Sequence, residues 1–273
     1  MPVILVNESL CDRCNTCARG CILGILEPAA AGAVPHTRPE MDAYCLKCGH
    51  CEALCPKQAL VLDFLRDQKL AAAPADATLD PDALLLHMKF RRSVREFKPE
   101  PVPRETLERL LDAARYAASG GNQQPVRWLA LADAAQVRKV AALTVDWMRT
   151  LPGTDHPLAP YVEGIVATWD AGADQICHGA PHLLFATIPR TGALDDVTEG
   201  VIAMTHVDLA APALGLGTCW AGFVKMACDG HAPLREALGL PGDRMVACAM
   251  LYGVPRHRST CVPRRNPLEL NWR

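Results

Sequence analysis

Two cysteine runs near the N-terminus constrain this chain more than any other feature. Eight of its 13 cysteines follow the spacing C-x2-C-x2-C-x3-C, which occurs twice. The first run consists of Cys11, Cys14, Cys17 and Cys21, and the second of Cys45, Cys48, Cys51 and Cys55. Three thiolates spaced by two residues can surround one corner of a four-iron cluster, while the fourth thiolate reaches a second cluster. The spacing therefore predicts two [4Fe–4S] clusters.

The predicted ligand sets follow from the crossing of the fourth cysteine of each run. One cluster is expected to bind Cys11, Cys14, Cys17 and Cys55, and the other Cys45, Cys48, Cys51 and Cys21. Pro56 follows the second run, but Ile22 stands at the corresponding place after the first. Proline restricts φ and does not coordinate iron, so we expect Ile22 to change the turn and not the ligand.

Zinc and disulfide bonds are the competing interpretations of these cysteines. CxxC pairs form structural zinc sites, but a zinc ion needs four ligands and gains nothing from a third CxxC step or a duplicated run. Disulfide frameworks are typical of secreted proteins, and the opening MPVILVNESL has no charged n-region or cleavage site. We therefore expect reduced thiols that bind clusters in the cytoplasm.

Length and composition indicate a soluble protein with two domains. The chain has 273 residues, 50% of them hydrophobic, and a formal net charge of −2. It contains no apolar run long enough to span a membrane and no basic patch suited to nucleic acid. The alanine- and proline-containing stretch 66–81 reads as a linker between a small module, 1–65, and a larger domain, 82–273.

The larger domain shows interleaved helix and strand patterns. Asp80 and Pro81 suit an N-cap and the first position of a helix. Further helices are predicted over 103–118, 134–150 and 197–215, and strands over 128–132, 182–188 and 245–254. This interleaving predicts a three-layer α+β or α/β domain.

Four short segments of this domain suggest a ligand. Arg91, Arg92, Ser93 and Arg95 offer guanidinium groups and a hydroxyl that suit a phosphate, although basic residues at a helix C-terminus are also favoured by the helix dipole. Neutral donors and acceptors that suit the edge of a heterocycle lie in the turn ASGGNQQP, which can equally be an ordinary glycine cap. They are Ser119, Asn122 and Gln124.

The third segment is ALGLGTCWAGF, residues 213–223. Its glycines do not follow G-x-G-x-x-G, and no strand–turn–helix is expected there, so it is not a dinucleotide fingerprint. We expect a helix that turns into an apolar loop whose bare backbone can approach a planar cofactor. The fourth segment, VPRRNP, offers a further cation from Arg264 or Arg265.

The order of these motifs resembles the nitroreductase family of FMN-dependent oxidoreductases. The motifs are R-R-S-V-R-x-F, S-G-x-N-x-Q-P, G-L-G-T-C-W and P-R-R-x-P, and they span roughly residues 85–270. The N-terminal part resembles a bacterial two-cluster ferredoxin. The resemblance implies an α+β chain in which a ferredoxin-like 2[4Fe–4S] module precedes a three-layer α/β/α nitroreductase-like domain.

The resemblance also implies an FMN site. Arg91, Arg92, Ser93 and Arg95 match the residues that hold the phosphate and ribityl end, with Arg264 or Arg265 completing the cations. Ser119, Asn122 and Gln124 match a turn that meets the flavin, usually from the partner subunit of a homodimer. The segment Trp220, Ala221 and Gly222 matches backbone near the flavin ring. Two departures are Val126, where the family usually has tryptophan, and the extra residue Asn266.

These matches lead to a functional hypothesis. Clusters carry single electrons and FMN accepts one or two, so we expect a reduced ferredoxin or similar donor to supply FMN through the clusters. The acceptor would be a small organic molecule such as a nitroaromatic, quinone or activated alkene. The alternative is an electron-transfer module that relays between protein partners. No side chain stands out as an acid or base, no nicotinamide signature appears, and the other five cysteines read as buried apolar groups.

Overall fold

The computed structural model describes residues 3–28, 33–65, 79–191 and 196–273. These residues form two compact units. The first contains the N-terminal residues up to 65 together with Gly120–Gln123, and the second contains Leu79–Ser119 and Gln124–Arg273. Most of the predicted linker, residues 66–78, lies outside the described residues. Its last residue, Pro81, already belongs to the first helix of the second unit.

The described residues of the N-terminal unit form four short strands and two short α-helices, besides two 3-10 segments. They are β1 Ile4–Val6, α1 Thr16–Gly20, β2 Leu26–Glu27, β3 His36–Thr37, α2 His50–Ala53 and β4 Leu60–Leu62. Strand β1 pairs with β4 and β2 pairs with β3, both antiparallel. Ile25, Leu26 and Leu62 are buried beside Cys17 and Cys51. The core of this small unit is therefore partly made of predicted cluster ligands.

The backbone repeats along the two cysteine runs. Left-handed φ angles occur at Arg13, Asn15 and Gly24 (58°, 60° and 62°) in the first half. The corresponding residues of the second half, Lys47, Gly49 and Gln58, also have positive φ (53°, 74° and 49°). Non-glycine residues adopt this region infrequently. The matched angles show that both runs fold in the same way.

The second unit contains one four-stranded sheet and seven helices among its described residues. In chain order the elements are α3 Pro81–Phe90, α4 Arg104–Ala114, β5 Arg127–Leu131, α5 Ala134–Met148, α6 Val162–Asp170, β6 His182–Pro189, α7 Thr198–Ala210, β7 Gly217–Trp220, α8 Gly222–Gly230, α9 Ala232–Ala237 and β8 Arg244–Gly253. The sheet order is β5-β6-β8-β7, and each neighbouring pair is antiparallel.

Helices cover both faces of this sheet. Leu183, Phe185 and Leu251 point into a core shared with α5 and α8. Their neighbours Leu184 and Met250 point into a second core shared with α4 and α7. Because successive residues of a strand face opposite sides, two buried faces explain the nearly continuous apolar runs of β6 and β8. The predicted three-layer α+β domain is confirmed.

Three expectations about these elements were wrong. The apolar loop expected around residue 217 is strand β7, and a strand–turn–helix does open there, because β7 leads through Ala221 into α8. The helix expected to reach residue 215 ends at Ala210, where a 3-10 turn that contains Pro212 replaces it. The helix expected to reach residue 118 ends at Ala114. Helices α6, α8 and α9 were not predicted.

A buried histidine at the start of β6 makes the fold sensitive to acid. The His182 side chain is only 2% exposed, accepts a 2.8 Å hydrogen bond from the Val102 N–H at Nε2, and stacks on Tyr252. Burial lowers the pKa of His182 from its usual value near 6.5. Below that pH the unfolded chain binds a proton that the folded chain excludes. Stability therefore falls as the pH decreases from 6.5 towards the folded-state pKa.

We predict that His182 contributes a slope of up to about 1.4 kcal/mol per pH unit in this range. Urea unfolding of the wild type and of His182→Gln between pH 7.5 and 5 measures it. The glutamine side chain of this variant can still accept the Val102 hydrogen bond but does not titrate. The wild type should lose stability on acidification more steeply than the variant, and parallel curves would contradict the assignment.

Candidate functional site

The segment 91–97 runs along the edge of the sheet in the second unit. Helix α3 begins at an N-cap, Asp80, whose carboxylate accepts from the N–H groups of Asp82 and Ala83, and it ends at Phe90. The chain then extends, and the Val94 N–H donates to the Thr218 carbonyl of β7 at 2.8 Å. This pairing holds the predicted phosphate-binding residues beside β7 and beside the chain that leaves β8.

A strongly basic cavity of about 710 Å³ opens beside this segment. Its cationic lining residues are Arg91, Arg92, Lys98, Arg256 and Arg258. Gly215, Gly217 and Thr218 supply backbone to the same wall. The described residues that line the cavity include no aspartate or glutamate. Such a cavity favours an anionic ligand.

A smaller cavity of about 240 Å³ adjoins the first through shared walls. Ser93 and Arg95 line it, and Arg92 and Arg258 line both cavities. All four residues of the predicted R-R-S-V-R set, Arg91, Arg92, Ser93 and Arg95, therefore line one or both of two adjoining cavities, the smaller of which also includes Glu96. The structure brings these sequence candidates together.

A buried carboxylate that the sequence did not single out lies behind this region. Asp208 of α7 is 5% exposed and accepts hydrogen bonds from Thr218 Oγ1 at 2.5 Å and from Trp220 Nε1 at 3.0 Å. Arg91 Nη1 lies 3.3 Å from Asp208 Oδ2. Asp208 thus joins the arginine segment to β7.

Strand β7 approaches the arginine segment so closely that it needs a glycine. A Cβ atom on Gly217 would lie 2.6 Å from Cγ2 of Val94 and 2.9 Å from its Cβ. Val94 is β-branched and has little rotamer freedom with which to move away. The glycine therefore sets how closely β7 and residues 91–97 approach each other.

We predict that Gly217→Ala lowers the free energy of unfolding by about 1–3 kcal/mol, the usual range for overpacking a well-packed core. Denaturant unfolding measures the change. Gly242→Ala is a matched control, because its Cβ would meet no atom within 4 Å. Adding Val94→Ala to Gly217→Ala should restore part of the loss, whereas a double variant with additive losses would contradict the steric explanation.

The predicted flavin-ring segment follows β7 directly. Trp220 is the last residue of the strand, and its indole N–H is held by Asp208. Ala221 is buried and its N–H donates to the Ala249 carbonyl of β8 at 2.8 Å, and Gly222 begins α8. These three residues are not among the described lining residues of either basic cavity.

The ends of the ASGGNQQP turn, Ser119 and Gln124, line a cavity of the second unit. Ser119 Oγ accepts from the Gln124 N–H at 3.0 Å, and both residues line a small cavity of about 110 Å³. That cavity shares no described lining residue with the two basic cavities. Asn122 belongs to the N-terminal unit, where its Nδ2 donates to the carbonyls of Leu46 and Lys47.

Arg244 holds the end of this turn, although the sequence did not single it out. Its buried guanidinium donates through Nη2 to the Pro125 carbonyl at 2.8 Å and to the Thr187 carbonyl at 2.7 Å. Nε donates to Thr187 Oγ1 at 3.1 Å. Burial lowers the pKa of Arg244 from its usual value, as expected for a cation whose hydrogen-bond acceptors are neutral.

The predicted C-terminal cations lie outside the two basic cavities. Arg264 and Arg265 are exposed, and Arg265 Nη1 donates to the carbonyl of Arg264. Within the described residues, neither lines the basic cavities. Arg256 and Arg258, shortly after β8, line the larger basic cavity. The motif R-H-R at the end of a strand was the sequence signal that could have identified them.

In the N-terminal unit, one predicted ligand set shares a cavity. Cys21, Cys45, Cys48 and Cys51 all line a pocket of about 370 Å³. Its other walls are mainly apolar and include Ile4 and Leu62. Burial raises the pKa of the Cys51 thiol to about 12, and the other three thiols of the set act on Cys51 in the same direction. The structure thus places Cys21 with the second run.

In the other predicted set, the groups that act electrostatically on Cys17 include Cys55 of the second run. Burial raises the pKa of the Cys17 thiol, and the neighbouring charges that raise it further are those of Cys55 and Cys11. Cys14, the remaining member, is exposed. The fourth cysteines behave alike, because Cys21 Sγ accepts the N–H four residues later at 3.4 Å and Cys55 Sγ does so at 3.2 Å. Within the described ranges, no group of three or more His, Cys, Asp or Glu residues is arranged to hold a single metal ion.

The cysteines outside the two runs are mostly apolar core groups. Cys177, Cys219, Cys228 and Cys248 are buried, and Cys261 is exposed. Burial raises the pKa of the Cys219 thiol, although the nearby Arg95 charge opposes that shift. Cys219 is therefore a protonated thiol near neutral pH rather than an activated nucleophile.

Across the described part of the chain, no helix is both long enough and apolar enough to cross a membrane.

Comparison with known proteins identifies the family of the larger part of the chain. The model of the Nitroreductase family matches residues 88–254 and leaves both cysteine runs outside the match. The chain is 42% identical over 192 residues to 5,6-dimethylbenzimidazole synthase of Rhodospirillum rubrum, covering 64% of this chain and 83% of that protein. It is 35% identical over 185 residues to nitroreductase NfnB of Mycolicibacterium smegmatis, covering 58% of this chain and 77% of that protein.

A solved structure has the same fold. The crystal structure of a nitroreductase with bound FMN from Desulfitobacterium hafniense superposes with a TM-score of 0.55 at 22% identity. The superposition covers 70% of this chain and 96% of that one. With more than half of its length matched by the family model, the chain belongs to the nitroreductase family.

Proposed function

We propose that this chain is an FMN-dependent oxidoreductase in which two [4Fe–4S] clusters pass electrons from a reduced protein donor to FMN. The acceptor is a small organic molecule such as a nitroaromatic, a quinone or an activated alkene. The observation that carries the proposal is the single cavity bordered by Cys21, Cys45, Cys48 and Cys51 in a chain that also has a basic site of the nitroreductase fold.

The basic region fits FMN. When bound, FMN supplies the two-electron reduction that the side chains of a protein lack. Its phosphate is a dianion, and Arg91, Arg92 and Arg95 with the Ser93 hydroxyl offer charge-assisted hydrogen bonds to it. Gly215, where an added Cβ would meet no atom within 4 Å, leaves part of the cavity wall free of a side chain, so that a ligand can lie against the backbone. Arg264 or Arg265 remains the family's candidate for a further cation, whereas the cavity geometry favours Arg258.

The N-terminal cavity fits a cluster. A four-iron cluster is larger than a single ion, so its thiolate ligands border a space rather than meet at one point. The mainly apolar walls limit water, and the N–H groups that donate to the sulfur atoms of Cys21 and Cys55 stabilise thiolate charge. Both features adjust the reduction potential of a bound cluster.

A homodimer is part of the proposal. Helix α3 exposes Leu84, Leu85, Leu86 and Met88, and together with α7 it borders an apolar groove of about 650 Å³. Exposed apolar patches of this kind usually mark interfaces. The Ser119 and Gln124 cavity is separate from the arginine region, so a second copy could present this turn to the flavin. Size measurement by light scattering tests the dimer.

Anaerobic reduction kinetics test the direction of electron supply. The holoenzyme is mixed with reduced ferredoxin, NADH or NADPH, and flavin bleaching is followed with and without a nitro compound. The proposal predicts that reduced ferredoxin bleaches the flavin fastest and that Cys48→Ala slows this reaction while FMN stays bound. Rapid bleaching by NADPH in Cys48→Ala would contradict a conduit through the clusters. Electron transfer to carrier proteins faster than to nitro compounds would instead identify a relay module.

A further inference from the structure

Asp208 accepts two hydrogen bonds from strand β7 and forms an ion pair with Arg91. Oδ1 accepts from Thr218 Oγ1 at 2.5 Å, and Oδ2 accepts from Trp220 Nε1 at 3.0 Å. The same Oδ2 lies 3.3 Å from Arg91 Nη1. A carboxylate that is almost fully buried is costly unless its oxygens are satisfied. Here three donors, one of them cationic, satisfy it.

We propose that Asp208 is a positioning residue for FMN, acting through Arg91; the proposal rests on the proposed function. Arg91 follows the last residue of α3, where a long side chain has many accessible rotamers. Arginine carries five N–H donors, and the Asp208 contact uses one nitrogen, which leaves the others for a phosphate. The ion pair thus fixes the direction of the guanidinium before a ligand arrives, and this pre-organisation lowers the entropy lost on binding.

The surroundings of Asp208 make this orientation rigid. His87 Nε2 lies 2.7 Å from the Leu209 carbonyl and ties α3 to α7 beside Asp208. The carbonyl of Thr218 also accepts a hydrogen bond from the Val94 N–H. Thr218 of β7 therefore contacts both the segment 91–97 and Asp208 of α7. A shift of Asp208 would therefore move Arg91 relative to the wall of the cavity.

Substitution of Asp208 by asparagine or by glutamate distinguishes the role of its negative charge from the role of the position of its oxygens. Asp208→Asn has the same shape, but its amide offers a single acceptor oxygen and turns an NH2 group towards donors. Asp208→Glu keeps the charge and both acceptor oxygens but moves them by one methylene. If Asp208 orients Arg91, both variants should weaken recognition of the phosphate and leave the rest of the flavin site intact.

The test compares FMN with riboflavin, which lacks the phosphate. Apo forms of the full-length protein are titrated with each flavin and flavin fluorescence is followed. Asp208→Asn should weaken FMN binding by about tenfold or more, corresponding to about 1.4 kcal/mol, and riboflavin binding by less than about threefold. In the double variant with Arg91→Ala, FMN affinity should equal that of Arg91→Ala alone, because residues acting in one unit are not additive.

Each outcome decides the proposal. Equal losses for FMN and riboflavin, or additive losses in the double variant, would overturn it in favour of a purely structural role. If Asp208→Asn does not fold, Asp208→Glu carries the same comparison, and an unchanged FMN affinity in that variant would overturn the proposal. A wild type that binds FMN no better than riboflavin would refute the proposed FMN site itself, which keeps the two failures distinct.

Discussion

Arg91→Ala is expected to weaken FMN binding by about 10- to 100-fold. Arg91 lines the basic cavity and is held there by Asp208. Hydrogen bonds to charged groups contribute about 1.5–3 kcal/mol each, and about 1.4 kcal/mol changes an equilibrium constant tenfold. Fluorescence titration of the apo protein measures the loss, and raising the salt concentration should weaken the wild type more than the variant, because the variant has lost one cation.

Arg109→Ala is the matched control. Arg109 is an exposed arginine of α4 outside both basic cavities, so its removal should leave FMN affinity within about twofold, as for most surface changes. Equal losses from the two variants would contradict a specific role for Arg91. The same assay separates the C-terminal cations, and a larger loss from Arg265→Ala than from Arg258→Ala would contradict the cavity assignment of Arg258.

Two double variants are expected to lower the iron content to different extents. Cys21→Ala with Cys48→Ala removes two ligands of one predicted set, and should leave about four of eight iron atoms per chain. Cys55→Ala with Cys48→Ala removes one ligand from each set, and should lose nearly all of the iron. The two variants differ because the fourth cysteine of each run is predicted to bind the cluster of the other run. The cavity that Cys21 shares with Cys45, Cys48 and Cys51 supports this crossing.

The iron and sulfide content of both double variants is measured after anaerobic purification. Cys261→Ala serves as the control, since Cys261 is exposed and lies outside both runs. If each cluster used the four cysteines of its own run, the two double variants would exchange their results. That outcome would contradict the crossed assignment while leaving the presence of clusters intact.

The sequence was most informative where the signal is local. Eight cysteines at fixed spacing predict their own ligand sets, and the R-R-S-V-R segment is short enough that one extended stretch brings its members together. Strands β6 and β8 were visible because both of their faces are buried, which makes the runs apolar throughout. Asp80 and Pro81 predicted the start of α3 because a helix cap uses neighbouring residues.

The sequence was least informative where partners are distant along the chain. Asp208 lies near the end of an apolar helix, and nothing local shows that Arg91 and Trp220 converge on it. Strand β7 has only four residues, one of them glycine, so its pairing with β8 decides its conformation. Arg258 lines the basic cavity, whereas the family motif indicates Arg264 and Arg265 further along the chain.

The cofactor content of the anaerobically purified chain is the decisive measurement. Iron, acid-labile sulfide, zinc and FMN are quantified on the same sample and divided by protein concentration. Two clusters and one flavin predict about eight iron atoms, about eight sulfides and about one FMN per chain, with a flavin spectrum superposed on broad iron–sulfur absorption. About two zinc ions per chain with neither iron nor sulfide would contradict the supply of electrons to FMN through clusters.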